Sequence, residues 1–202
     1  MELVKPECAR PHRAVLAQPE AENAEPASLH SDLRFEAQRC AYYHGMRARF
    51  FDSVGKSTSL VSFVAGAGAF TTLIQGMGWL VTLLATITAV FSGLNLIIGF
   101  ARKGRDHEVL RSKYYAVLGE LEKATDDHTR LREIRGRLLG FYADGTIYLS
   151  ALDMIAYNRA CMSNGRDDCV TYVPLWHRAF AHVWSFTGYY CNGQRAPKPN
   201  AL

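Results

Sequence analysis

Over most of the chain apolar positions are interrupted by charge every few residues, but from Ser57 to Ala101 the interruption stops. These 45 consecutive residues carry no charge and lie between Lys56 and Arg102-Lys103. A membrane-crossing helix needs about 20 apolar residues to span roughly 30 Å of hydrocarbon, so the run is long enough for two helices and a tight turn. Gln75-Gly76-Met77-Gly78 stands near its middle, where two close glycines weaken a helix and favour a reversal. The pattern predicts a transmembrane hairpin over 57–101, with spans near 58–75 and 78–100. A buried hairpin of a soluble all-α protein is the competing reading, but a soluble helix normally shows a charged face over such a length.

The two halves differ. Trp79 to Phe100 holds twelve Leu, Ile, Val or Phe residues, which contribute about −4 to −7 kcal/mol on an insertion scale. Thr58 to Ile74 holds seven, for about −2 to −4 kcal/mol, offset by Ser59, Ser62, Thr71, Thr72, Gly66 and Gly68. The second segment is expected to insert alone and the first to need its neighbour.

Helical spacing continues on both sides. Residues 31–56 predict a lead-in helix capped by Ser31-Asp32, with Leu33, Ala37, Cys40, His44, Ala48 and Phe51 on one face. Arg34, Arg39, Arg47 and Arg49 fall largely on other faces. This helix either packs on a cytoplasmic domain, the preferred reading, or lies in the lipid interface. Residues 102–160 predict cytoplasmic helices. Leu110, Tyr114, Val117 and Leu121 form one stripe, and Leu131, Ile134, Leu138 and Phe141 form another after a polar break at 125–128. Tyr148, Leu152 and Ile155 begin a third pattern after Asp144-Gly145.

Residues 161–192 then predict a loop and an aromatic helix, from about Pro174 to Tyr190, with Trp176, Phe180, Trp184, Phe186, Tyr189 and Tyr190. That helix either closes the cytoplasmic core or lies at the headgroup layer, which Trp and Tyr favour. Residues 1–30, broken by Pro6, Pro11, Pro19 and Pro26, and the Pro-rich 193–202 are expected to be disordered tails. The expected fold is an all-α membrane protein: a two-helix transmembrane hairpin with a cytoplasmic helical domain formed by the flanking N- and C-terminal helices.

Charge adds a topology. The net charge of +4 is unremarkable, but Arg47, Arg49 and Lys56 precede the hairpin, Arg102, Lys103 and Arg105 follow it, and the turn has none. The positive-inside rule then places both termini in the cytoplasm of a multi-pass inner-membrane protein. Arg47, Arg49, Lys56, Arg102 and Lys103, with Trp79, are the candidate lipid-interface anchors. The first 30 residues hold five Glu residues and no apolar core of signal-peptide length, so the hairpin would be its own insertion signal. Cys8, Cys40, Cys161, Cys169 and Cys191 contain no C-x-x-C and are expected as free thiols. Cys161, Cys169, His177 and His182 match no recognised zinc spacing, so no metal is expected.

Inside the run the polar residues carry the candidate function. Ser62 and Gly66 share one four-residue row of the first helix, Ala65 and Ala69 the next, and Ala85, Ala89 and Gly93 repeat the theme in the second. Small residues let helices approach closely in lipid, either within the hairpin or between copies. Asn95, the most polar residue deep in either segment, is expected to meet another helix or, less favourably, a watery lumen. No ionisable residue lies within the run, which argues against a proton relay or an ion-coupled transporter site. The chain has no phosphate-cradling loop and no H-E-x-x-H. His107-Glu108 has no nucleophile spaced with it, and Asp126, Asp127 and Glu133 dilute the basic run Arg130, Arg132, Arg135 and Arg137. An enzyme, a cofactor and a nucleic-acid partner are therefore not expected.

The order of parts is more telling than any one of them. Arg47-x-Arg49-Phe50-Phe51-Asp52 leads into two membrane segments, the second closing on Ser92-Gly93-Leu94-Asn95-Leu96 … Gly99-Phe100, then His107-Glu108-x-Leu110. Leu118-x-x-Leu121-Glu122 and Ala151-Leu152-Asp153 … Tyr157-Asn158 follow. Over about residues 36 to 160 this resembles the SLATT family, two-transmembrane effector domains associated with bacterial nucleotide-signalling (SMODS and SLOG) systems. The resemblance implies a homo-oligomeric, pore-forming effector of the bacterial inner membrane, coupled to a nucleotide-signalling partner protein in conflict systems such as antiphage defence. The alternatives are a non-conducting membrane-anchored scaffold, an exclusion protein or a holin-like protein.

Overall fold

Every regular element formed by the described residues is helical, and no strand occurs among them. The computed structural model describes residues 26–74, 76, 78–124, 127–143 and 148–186. The expected tails over 1–25 and 193–202, the turn residues Gln75 and Met77, the Asp144-Gly145 turn, and Tyr189 and Tyr190 lie outside that set.

Helix α1 is Pro26–Ile74, 49 residues in one piece, where the pattern predicted a tail to residue 30, a lead-in helix and a separate membrane segment. A proline is favourable at a first helical position because its fixed φ is already helical. Isolated glycines cost a helix only about 1 kcal/mol each, so none of those after Ser31 ends it. Ser31-Asp32 accordingly lie within the helix rather than capping it. Helix α2 is Gly78–Ile98 and helix α3 is Phe100–Leu121. They are divided by Gly99 alone, at φ 63, a conformation that glycine adopts without steric cost. The Gly99 amide donates to the Asn95 carbonyl and the Lys103 amide to the Gly99 carbonyl, both at 3.0 Å, so Gly99 closes the last turn of α2 and opens the first turn of α3.

Helix α4, His128–Ala143, is capped by Asp127, whose Oδ1 accepts the amides of Thr129 and Arg130 at 3.0 and 3.1 Å. Helix α5 is Ser150–Ser163; a 3₁₀ turn at Asp167–Cys169 and the short helix α6, Leu175–Phe180, follow.

The chain divides into two compact units. One comprises the described residues up to His44 and those from Leu110 onward; the other is Gly45–Val109. In the first, Leu33, Ala37 and Cys40 of α1 pack with Tyr114, Val117 and Leu121 of α3 and with Leu131, Ile134 and Leu138 of α4. On another side of α1, Phe35 packs with Met154, Tyr157, Ala160 and Cys161 of α5 and with Cys169 and Val173 beyond it. Helix α1 is therefore buried nearly all round from Phe35 to Ala41, which explains why it lacks a wide apolar stripe. Each fully buried Leu here contributes about 1.5–3 kcal/mol.

Candidate functional site

In the Gly45–Val109 unit the C-terminal part of α1 and helix α2 pair antiparallel. Ser92 Oγ lies 3.4 Å from Ser62 Oγ; a Cβ on Gly66 would lie 3.9 Å from Thr88 Oγ1, and one on Gly68 only 3.1 Å from a Leu84 methyl. The paired positions ascend on one helix as they descend on the other. The contact face of α1 is made of small residues: Ala65 is buried, and Ser62, Gly66, Gly68 and Ala69 are half-buried.

The large side chains point the other way. Phe63 is 74% exposed, Ile74 73%, and Leu60, Val64 and Phe70 are likewise exposed on α1. On α2 the same holds for Trp79, Leu83, Val90, Leu94, Leu96 and Ile97, and no residue of that helix is buried. The contact face of α1 is thus small and its bulk points outward, the reverse of an ordinary globular core, while α2 meets it with the half-buried Leu84, Thr88 and Phe91. Five of its threonine hydroxyls are satisfied on their own helices. Thr58, Thr71, Thr82, Thr86 and Thr88 each donate to the carbonyl four residues earlier, at 2.7–3.1 Å. That removes the need for water along the helix surface. Among the described residues one stretch, Gly78–Leu121, is by length and composition long and apolar enough to cross a membrane, and none of its most apolar window is buried.

The sequence-predicted packing residues separate into two groups. Ser62, Gly66 and Ala69 lie toward α2. Ala85 and Ala89 are exposed, and a Cβ added to Gly93 would meet nothing within 4 Å, so this row does not serve the hairpin contact. Asn95 is half-buried, on the helical row of Leu84, Thr88 and Phe91 that faces α1. Of the six interface candidates, Arg49, Lys56, Trp79, Arg102 and Lys103 are exposed and Arg47 is half-buried. Lys56 pairs with Asp52 at 2.7 Å, and the Arg49 Nε donates to the Gly45 carbonyl at 3.3 Å.

Arg47 and Lys103 converge on the ring of Phe51, the last position of the predicted lead-in face. The Arg47 guanidinium lies 4.5 Å from the Phe51 centroid and the Lys103 ammonium 5.8 Å, while the His107 ring stacks on Phe51 at 5.6 Å and 7°. Burial, then the charge of Arg47, lowers the His107 pKa to about 4, so the ring is neutral at neutral pH.

The other unit holds a buried polar network that sequence reasoning missed. Arg39, expected on a polar face, is 1% exposed. Its Nε donates to Asp153 Oδ1 at 2.8 Å, its Nη2 donates to Asp153 Oδ2 and to the Tyr148 hydroxyl, and Glu36 lies 3.7 Å from Nη1. Burial opposes the charge, but Asp153 and then Glu36 hold the guanidinium well above its ordinary range. The Tyr142 hydroxyl donates to Glu36 at 2.5 Å and sits 3.1 Å from Cys40 Sγ. Burial, then Glu36, pushes the Cys40 thiol well up; burial, then Cys40, does the same to the Tyr142 phenol. Cys40 therefore stays a protonated core thiol, not a nucleophile. The available signal was a charge amid apolar helix at both partners, Arg39 in α1 and Asp153 in Ala151-Leu152-Asp153.

Cys40, Cys161 and Cys169 are buried and form no disulfide among the described residues, where no three His, Cys, Asp or Glu side chains form a group that could hold a metal ion. No family model matches the chain, and neither a curated protein nor a solved structure matches it.

Proposed function

We propose that α2 and the C-terminal part of α1, over 78–100 and 58–75, cross the membrane as a two-span hairpin with both ends of the chain in the cytoplasm. The observation that carries this reading is the packing of the pair: bulky apolar side chains exposed on both helices, a contact face of small residues on α1, and threonine hydroxyls bonded to their own helices. Lipid tails solvate Phe63, Leu96 and Ile97 as water cannot, and helix association in lipid depends on close approach of small residues. The basic residues flanking both ends of the charge-free run support cytoplasmic termini.

The hairpin assembles into a homo-oligomer through the Ala85–Ala89–Gly93 row, which the intramolecular contact leaves open. The oligomer breaches the membrane when a cytoplasmic signal rearranges the helical unit. The resemblance to the SLATT family supports an effector of the bacterial inner membrane, answering a nucleotide-signalling protein in a defence setting.

The test is a potential-sensitive dye in cells after induced expression, with and without the triggering system. Depolarisation and growth arrest are expected, and both weaken in Gly93→Leu and Asn95→Leu without loss of membrane insertion. Gly93→Leu is a clean probe because nothing lies near its Cβ position within the chain. An unchanged potential in every condition would favour a non-conducting scaffold and sink the pore.

A further inference from the structure

After Cys169 the chain displays an aromatic surface that the hairpin reading does not use. Val173 and Ala181 are buried and anchor the segment, Val173 in the cluster built on Phe35 and Tyr157. Asn158 of α5 clamps its start from both sides: its Nδ2 donates to the Thr171 carbonyl at 2.6 Å and its Oδ1 accepts the Thr171 amide at 2.9 Å. From this fixed base Tyr172, Leu175, Trp176, Phe180, Val183 and Trp184 all point outward; Trp176 is 76% exposed and Trp184 66%. Trp176 and Phe180 are parallel at 6.4 Å, one turn apart on α6. Six large exposed apolar residues within 13 positions, on a segment anchored at Thr171, Val173 and Ala181, mark a docking face rather than scattered exposure.

Charge identifies the occupant. From Val170 to Leu202 the sequence contains no Asp or Glu, while Arg178, Arg195 and Lys198 are cationic. Trp and Tyr favour the headgroup layer, where the ring is half solvated by lipid and its N–H or O–H by water. Acid-free cationic sequence adds attraction to anionic headgroups, at about 1 kcal/mol per Lys or Arg near the surface. A protein groove would suit the aromatics equally but gives no reason for the exclusion of acid over this segment.

We propose that the face formed by Tyr172, Leu175, Trp176, Phe180, Val183 and Trp184 is an interfacial docking surface for an anionic lipid bilayer. It makes a second, reversible membrane contact distinct from the hairpin. The proposal rests on the membrane reading of 57–101, and the experiment separates the two.

The chain has three tryptophans, so Trp79→Phe leaves only Trp176 and Trp184 as reporters, and the double variant Trp176→Phe/Trp184→Phe leaves only Trp79. Both full-length proteins are reconstituted in phosphatidylcholine vesicles with or without phosphatidylglycerol, and quenching by brominated acyl chains is read. With phosphatidylglycerol present, Trp176 and Trp184 are expected to shift to shorter wavelength and lose roughly half their emission to brominated lipid. The loss should be smaller without phosphatidylglycerol and in Arg178→Glu. Quenching of Trp79 but not of Trp176 and Trp184 overturns the docking surface and leaves the hairpin standing. Quenching of Trp176 and Trp184 but not of Trp79 supports the docking surface and overturns the hairpin. Equal quenching with and without phosphatidylglycerol overturns the anionic requirement. Protection from aqueous acrylamide without any lipid quenching assigns the face to a protein and overturns the proposal.

Discussion

Leu138 and Phe63 are both large apolar residues on helices of this chain, yet one is fully buried and the other 74% exposed. The first belongs to a unit that hides Leu, Ile and Tyr among themselves and buries charge only where it is paired. The second belongs to a helix pair in which α1 presents Ser, Ala and Gly to its neighbour and much of the bulk on both helices is turned outward. One hydrophobic effect accounts for both if the two units meet different solvents: water selects large apolar side chains for the interior, whereas lipid leaves close backbone approach as the reason to pack.

The sharpest way to break the comparison is through the paired charge. Arg39→Met leaves Asp153 and Glu36 buried without their cation, and breaking a buried pair from one side costs about 3–5 kcal/mol. Denaturant unfolding of the detergent-solubilised protein, followed by circular dichroism, is expected to show that loss. Replacing Arg39 and Asp153 together with apolar residues should restore much of it; equal losses in single and double variants would mean that the pairing itself carries little.

Truncation of matched apolar residues comes next. Leu138→Ala in the water-facing unit should cost about 2–5 kcal/mol, the usual range for a buried leucine. Phe63→Ala should leave that unfolding unchanged and weaken membrane insertion by only about 0.5 kcal/mol. A Phe63→Ala loss as large as that of Leu138→Ala would mean that both residues are packed against protein, and the contrast in solvent would fail.

The smallest effect is confined to acid. The unfolded His107 imidazole takes a proton near pH 6.5, whereas the folded one stays neutral down to about 4. The unfolded state therefore binds more protons in that window, so stability falls as pH drops through it and is unaffected at pH 7 and above. In His107→Gln the melting temperature should fall less steeply between those two values, with little change at neutral pH. An acid limb identical to that of the parent protein would show that protonation elsewhere governs it.

Much of this architecture is legible in local pattern. The stripes Leu110-Tyr114-Val117-Leu121 and Leu131-Ile134-Leu138 are buried where their spacing places them, because a helical period depends only on residues three and four apart. The cap of α4 is similarly local, an Asp side chain meeting amides two and three residues on. Less legible was the extent of α1: a cap signal at Ser31-Asp32 has no force once preceding residues already supply helix. The aromatic segment was equally open between an inward and an outward face. Only the depth of Val173 and Ala181 and the Asn158–Thr171 clamp decide which side the rings take.

The sequence by itself determined where the charge-free run lies, most of the helical stretches though not their ends, such as the aromatic helix that runs only over Leu175–Phe180 among the described residues, and which residues are small enough for close approach. Tertiary structure alone decided that Ser62, Ala65 and Gly66 turn toward α2 while Ala85 and Ala89 remain open, and that Arg39 lies in a core. The reason is separation along the chain. Arg39 and Asp153 stand 114 residues apart, and a helix covered on several sides has no single apolar stripe from which its burial can be read.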